Sequence, residues 1–259
     1  MKPQPDIERY LKQHIKTSLV GRELHYLESV TSTQDVARDL AEKGSPEGTV
    51  VIAGTQKAGR GRLGRTWFSP EGSLALSVIL KPSTDEMRFL PAVSSLSVFH
   101  AINRLGVPAQ IKWPNDVLIK GKKVCGILIE SRPQAGDFHC AIVGIGINVS
   151  FDIRKYPEIA ELATSISAHS SREVSVNEVI INLIDELERH YQKIADTDSL
   201  RSEWLANMDT IGRRIRVNMN GNIEDGVAET INRAGNLVLR RDDGTDLEIV
   251  AGDVTIVKD

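Results

Sequence analysis

The sequence predicts an α+β fold, a large domain of intermixed helices and strands followed by a small all-β unit. Three observations predict it. Up to about residue 207, strand-length apolar runs are interspersed with longer segments in which apolar residues recur every three or four positions. From about Met208 the texture changes to short strands separated by the turn signals Asn220-Gly221, Gly235-Asn236 and Asp243-Gly244. The length of 259 residues suits one large domain plus a small one. The expected division is a lead-in segment over 1–22, a main domain over 23–207 and the small unit over 208–259.

The elements follow in order. Ile7, Tyr10, Leu11, Ile15 and Leu19 fall at helical spacing, which predicts a lead-in helix over Asp6 to Leu19. Leu24 to Glu28 alternates as a strand. Thr31-Ser32-Thr33-Gln34-Asp35 then supplies N-cap chemistry for a helix of about ten residues that stops at Gly44. Thr49 to Gly54 and Ser73 to Leu80 read as strands. Leu90, Val93, Leu96, Phe99 and Ile102 predict one long amphipathic helix over Glu86 to Leu105. Short strands are expected at Gln110 to Lys112, Val117 to Ile119, Val124 to Glu130 and Phe138 to Val149, the middle two joined by a Lys120-Gly121-Lys122 hairpin turn. Val176 to Ile194 and Ser199 to Asn207 complete the helices.

Composition narrows the function classes. Hydrophobic content of 41% and charged content of 26% are ordinary for a globular protein, and the net charge of -3 argues against a general nucleic-acid binder. Cys125 and Cys140 each lie in an apolar run and read as small buried hydrophobes in a reducing compartment, so a cytoplasmic protein is expected. No apolar run approaches the length of a membrane span. The six histidines are scattered without metal-ligand spacing, so no His/Cys metal site is expected.

Against this mild acidity, Lys57 to Arg65 holds three glycines and four cations in nine positions, with no acid from Gly48 to Pro70. Gly59, Gly61 and Gly64 let backbone N–H groups approach a ligand, and Arg60, Arg62 and Arg65 add planar forks suited to phosphate and carboxylate. A solvated basic face needs no glycine at every second or third position. The P-loop pattern is absent. With no acid nearby in sequence to offset its repulsion, the loop is expected to be mobile until an anion binds.

Three further segments carry chemistry. In Lys112-Trp113-Pro114-Asn115-Asp116, Pro114 stiffens a strand end and presents a cation for phosphate and a carboxylate for Mg²⁺, although a surface turn with a packed tryptophan reads equally well. Lys123 to Glu130 is a core strand in which Lys123 and Gly126 are the functional candidates. Gly144-Ile145-Gly146-Ile147-Asn148 fails as a dinucleotide fingerprint but lets a strand end approach a flat ligand.

Taken in this order, these motifs resemble the biotin protein ligases over about Gly21 to the carboxyl terminus, with Ser32-Thr33-Gln34 departing from the family's common Asn at the third position. The resemblance implies a mixed-sheet biotin/lipoate-ligase-like catalytic domain with an SH3-like C-terminal β-barrel. It implies two steps: biotin carboxylate attacks the α-phosphate of ATP, and a lysine of a biotin carboxyl carrier protein then takes biotin from biotinyl-5'-AMP. Arg60, Lys112, Asp116 and Lys123 are the implied catalytic residues. Biotin falls to Ser32, Thr33, Gln34, Gln56, Gly59, Arg60, Gly61, Arg62, Lys123 and Gly126. ATP falls to Arg60, Arg62, Arg65, Trp67, Lys112, Asn115 and Asn148, with Asp116 for Mg²⁺. The resemblance also implies a homodimer as one possible assembly. With too few residues before Leu24 for a winged helix and its recognition helix, the ligase-only form is expected and DNA binding is not. A lipoate ligase is the alternative enzyme.

Overall fold

The computed structural model describes residues 5–133, 137, 139–219 and 221–257. Met1 to Gln4, Phe138 and Asn220, which enter the expectations above, lie outside them. Helix α1 (Pro5–His14) leads into β1 (Leu24–Val30), α2 (Thr33–Glu42) and β2 (Val50–Gln56). The glycine-arginine segment is itself a small hairpin, β3 (Gly59–Arg60) and β4 (Thr66–Trp67), paired Gly59 to Trp67 and Arg60 to Thr66. β5 (Ser73–Leu80), α3 (Thr84–Met87) and α4 (Leu90–Asn103) follow, then β6 (Gln110–Lys112), β7 (Asp116–Ile119), β8 (Lys122–Pro133) and β9 (His139–Asn148). α5 (Pro157–Ala160), α6 (Val176–Tyr191) and α7 (Thr197–Ala206) precede β10 (Arg214–Met219), β11 (Asn222–Ile231), β12 (Leu237–Arg240), β13 (Asp246–Ile249) and β14 (Asp253–Ile256).

Seven strands form a mixed sheet in the order β1-β2-β5-β9-β8-β7-β6. Only β1 and β2 run parallel, as the crossover through α2 requires. The remaining neighbours pair antiparallel. The C-terminal strands form a separate antiparallel sheet, β13-β12-β11-β10-β14.

Period-two alternation sorts the seven-stranded sheet into two faces. Val50, Ile52, Val78, Leu80, Val143, Ile145 and Ile147 join α4 and α6 in the main core. Val51, Ile79 and Ile142 pack instead with Ala37 of α2. Following the same parity along β9 and β5 brings Gly144, Gly146, Ala75 and Ser77 to the α2 face. Their cross-strand partners extend the patch to Gly126 and Leu128. The result is a floor of three glycines, an alanine and a serine beside Leu128.

Two expected helices are corrected. The lead-in helix ends at His14, not Leu19; residues 18–20 are held instead by Glu188, whose carboxylate accepts the backbone N–H groups of Ser18, Leu19 and Val20 at 2.7–2.8 Å. The single helix expected over Glu86 to Leu105 is split into α3 and α4, with Pro91 in the first turn of α4. Proline suits a helix start and not an interior. Nor is α4 amphipathic, for Ser94, Ser95 and Ser97 are buried with the apolar residues. Their hydroxyls donate back to the carbonyls of Leu90, Pro91 and Val93 at 2.6–2.7 Å, which makes polar side chains tolerable in a core.

Candidate active site

A cavity opens over the glycine floor, between the start of α2 and the β3–β4 hairpin. Local structure explains its polar rim. Ser32 is the N-cap of α2 yet makes no side-chain capping bond. Its hydroxyl is buried without a partner, as are Gln34 Oε1 and Trp67 Nε1. Buried polar atoms are normally satisfied, so three such orphans around one cavity mark a place for a ligand bearing donors and acceptors.

Their neighbours are held firmly. Gln56 Oε1 accepts from the backbone N–H of Thr33 at 2.9 Å and from its hydroxyl at 3.2 Å. Ser77 donates to Thr33 Oγ1 at 2.8 Å, and Gln34 Nε2 donates to the Leu128 carbonyl at 3.1 Å. Trp67 lies against the floor: a Cβ at Gly146 would come within 2.3 Å of its indole, and one at Gly126 within 3.0 Å. A Cβ at Gly144 would press on the Gln34 amide at 3.0 Å. A side chain at 144 or 146 would displace Gln34 or Trp67 from the floor.

The cations are less free than their sequence suggests. Arg60 bonds Asp35 at 2.6 Å and approaches Glu130 at 3.5 Å; Arg38 bridges the same two acids at 3.0 and 2.5 Å. Burial alone would raise the Asp35 pKa, but Arg60 and Arg38 outweigh it and hold the carboxyl below its ordinary value. Arg62 donates to Asn115 Oδ1 at 2.8 Å, while Asn115 Nδ2 donates to the Ile127 carbonyl at 2.9 Å. Arg65 pairs with Asp253, tying the hairpin to the C-terminal sheet. The expectation that nothing offsets the loop's repulsion is therefore corrected: Asp35, Glu130 and Asp253, all distant in sequence, offset it.

Lys123 Nζ sits 2.6 Å from Asp116 Oδ1 and 5.7 Å from the Trp67 ring centre. The Asp116–Lys123 contact is close, though that oxygen receives no well-aligned hydrogen bond. Lys112 is half-buried nearby; burial, more than the opposing charge of Asp116, lowers its pKa. The assignment of Asp116 to Mg²⁺ does not fit this donor set. Mg²⁺ takes an octahedral shell of oxygens, whereas the cavity's two carboxylates, Asp116 and Asp253, are each paired with a cation.

Of the expected residues, Ser32, Thr33, Gln34, Gln56, Arg60, Gly61, Arg62, Arg65, Trp67, Asn115, Asp116, Lys123 and Gly126 line this one cavity. Gly59 is not among the lining residues; it pairs with Trp67 in the hairpin, where a Cβ would strike the Trp67 carbonyl at 2.5 Å. Lys112 and Asn148 are not among the lining residues: Lys112 is half-buried beside the cavity, and Asn148 is buried, its amide nitrogen donating to the Thr164 carbonyl at 3.0 Å. Sequence reasoning let the Gly144 to Asn148 segment approach a flat ligand but named neither Gly144 nor Gly146 as a binding residue, and it left Asp253 out altogether. The glycines had a signal in their spacing of two, which bares one strand face. Asp253 had none, because its partner lies 188 positions away.

Two family models match the chain. The biotin/lipoate A/B protein ligase family covers residues 26–148, and the biotin protein ligase C terminal domain covers residues 210–257. The bifunctional ligase/repressor BirA of Bacillus subtilis is 33% identical over 94% of this chain and 77% of its own length. The biotin--[acetyl-CoA-carboxylase] ligase of Mycobacterium tuberculosis is 31% identical over 94% of each chain. The match to the BirA of Bacillus spizizenii, at 37% identity, spans 74% of this chain and 60% of that protein. Among solved structures, the biotin protein ligase of Aquifex aeolicus in complex with biotin and ATP superposes with a TM-score of 0.76 at 29% identity, covering 92% of this chain and all of that one.

Proposed function

The chain belongs to the biotin protein ligase family, and from that premise we propose that it activates biotin with ATP and attaches it to a lysine of a carrier protein. The observation that carries this reading is the set of orphaned polar atoms over a glycine floor, ringed by guanidinium and ammonium groups. Biotin has a flat apolar bicycle, a ureido group that both donates and accepts, and one carboxylate. The bicycle suits the bare strands, and the ureido suits Ser32 Oγ and Gln34 Oε1. Thr33 and Gln56 bond each other and hold the helix start in place.

In the first step a carboxylate oxygen of biotin attacks the α-phosphorus of ATP and pyrophosphate leaves. No side chain needs to act as nucleophile. Arg60 and Arg62 hold carboxylate and α-phosphate together, so catalysis is placement plus stabilisation of the charge that develops on phosphorus. Both arginines already rest on protein acceptors, which the anionic ligands replace. Lys112 and Lys123 face the phosphate and acyl oxygens, with Asp116 keeping this pair of like charges together. Trp67 offers adenine a stacking surface. Arg65, held by Asp253, secures the hairpin. Mg²⁺ comes with ATP as part of the nucleotide substrate. In the second step the carrier lysine attacks the acyl carbon of biotinyl-5'-AMP and AMP leaves.

We assign both steps to residues 23–207, with 208–259 bracing the nucleotide hairpin, and the chain to the cytoplasm. Intact mass of a biotin carboxyl carrier domain incubated with this protein, biotin and MgATP is the test. A biotin-sized gain that requires ATP is expected. A gain with lipoate and none with biotin would overturn the reading.

A further inference from the structure

On the helical side of the large sheet, away from the cavity, two histidines and a glutamate from three helices converge. His100 of α4, His190 of α6 and Glu203 of α7 each turn a ligand atom inward, and these atoms all lie within 4.8 Å of one another. Sequence gave no hint of it, since the two histidines are 90 positions apart. The geometry points to a binding site for a borderline divalent cation of the zinc class, built by His100 Nε2, His190 Nε2 and Glu203 Oε1 and clamping the three helices together.

The ring orientation carries the argument. His190 is fully buried, and its Nδ1 lies 2.8 Å from the Glu186 carbonyl oxygen, an atom that only accepts. Nδ1 therefore bears the proton, and the Nε2 lone pair faces inward. A backbone carbonyl fixing one ring nitrogen so that the other can ligate is the usual arrangement of metal-binding histidines. Glu203 Oε1 lies 3.6 Å from His190 Nε2 and 2.7 Å from His100 Nε2. Ligand atoms around tetrahedral zinc stand about 3.4 Å apart, so the first spacing fits and the second widens when the ion replaces the hydrogen bond. The His100 and His190 rings lie stacked, 25° from parallel with centres 5.3 Å apart. Imidazole and carboxylate suit zinc, cobalt and nickel, and poorly suit Mg²⁺.

The position already draws a cation. Arg189 Nη2 sits 3.0 Å from His190 Nε2 and 3.9 Å from Glu203 Oε1. Glu186 stays occupied in either state, by Arg104 at 2.6 Å and by Arg189 Nε at 2.7 Å. Arg189 is part-exposed, so its fork can turn to solvent while its Nε keeps Glu186. The bound ion has three protein ligands, with water completing its shell.

Titration of chelator-stripped full-length protein with Co²⁺ alone, read by visible absorption, tests the site. One Co²⁺ per chain is expected, giving the intense bands of a four-coordinate ion, displaced by Zn²⁺ and accompanied by a raised melting temperature. Glu203→Gln and His100→Ala should each weaken Co²⁺ binding at least ten-fold, and Arg189→Ala should leave it equal or tighter. Wild-type biotin transfer should not depend on the ion. The absence of saturable binding would overturn the site, as would unchanged affinity in Glu203→Gln shown to be folded by circular dichroism. The trio would then be a hydrogen-bonded cluster with Arg189 as its cation.

Discussion

The two faces of β9 are built from the same ten residues and do opposite work. Val143, Ile145 and Ile147 are buried against α4 and α6 in a continuous apolar core. Between them, Gly144 and Gly146 present bare backbone to Gln34 and Trp67. One face gains stability from filled volume. The other gives up that gain to leave room for a ligand, and it borders the orphaned Gln34 and Trp67 atoms. A strand that must both stiffen a sheet and floor a site can do so because its side chains alternate.

Substitutions on the two faces should separate stability from activity. Ile145→Ala, which hollows the core, should cost about 2–5 kcal/mol of folding free energy while leaving turnover per folded molecule unchanged, as chemical denaturation beside an activity assay would show. If Ile145→Ala instead lowered activity at full folding, the two faces would not be independent. Gly146→Val places carbon atoms where the Trp67 indole lies, and displacing that ring should slow adenylate formation about 100-fold, measured by pyrophosphate release. An active Gly146→Val would mean that Trp67 is not part of the site. Ser32→Ala removes a hydroxyl that has no partner, so the melting temperature should hold while KM for biotin rises about ten-fold. A fall in stability with no change in KM would break the contrast at its sharpest point.

The smallest effect concerns a polar group on the packed face that, unlike Ser32, is saturated. Burial raises the Glu188 pKa, but the N–H groups of residues 18–20 outweigh it and hold the folded value below the ordinary 4.5. The unfolded state therefore takes up the proton first. The contribution is full above pH 4.5 and is lost as pH falls through the lower folded value. Glu188→Gln should lower stability at neutral pH and flatten its decline in acid, followed by melting temperature against pH.

How far the sequence could be read varied by region for physical reasons. β5 and β6 begin and end where their patterns predict, because short runs bounded by turn residues carry their own limits. The helix expected over Glu86 to Leu105 divides because Pro91 favours a helix start, and it is not amphipathic because its buried serines satisfy themselves against their own helix. The cavity lining was largely legible in the loop, in Asn115 and Asp116, and in Lys123. The partner of Asn148 was not legible, since an amide's partner depends on what folds over it, here Thr164.

The sequence by itself determined the alternation of β9, the glycine-arginine loop and the order of motifs that marks the family, because periodicity and backbone freedom are properties of neighbouring residues. Tertiary structure alone decided which charges meet. Arg60 meets Glu130, Arg65 meets Asp253, and His100 meets His190 and Glu203, each pair brought together across 70 to 188 positions. Electrostatic pairing depends on distance in space, and distance along the chain does not encode it.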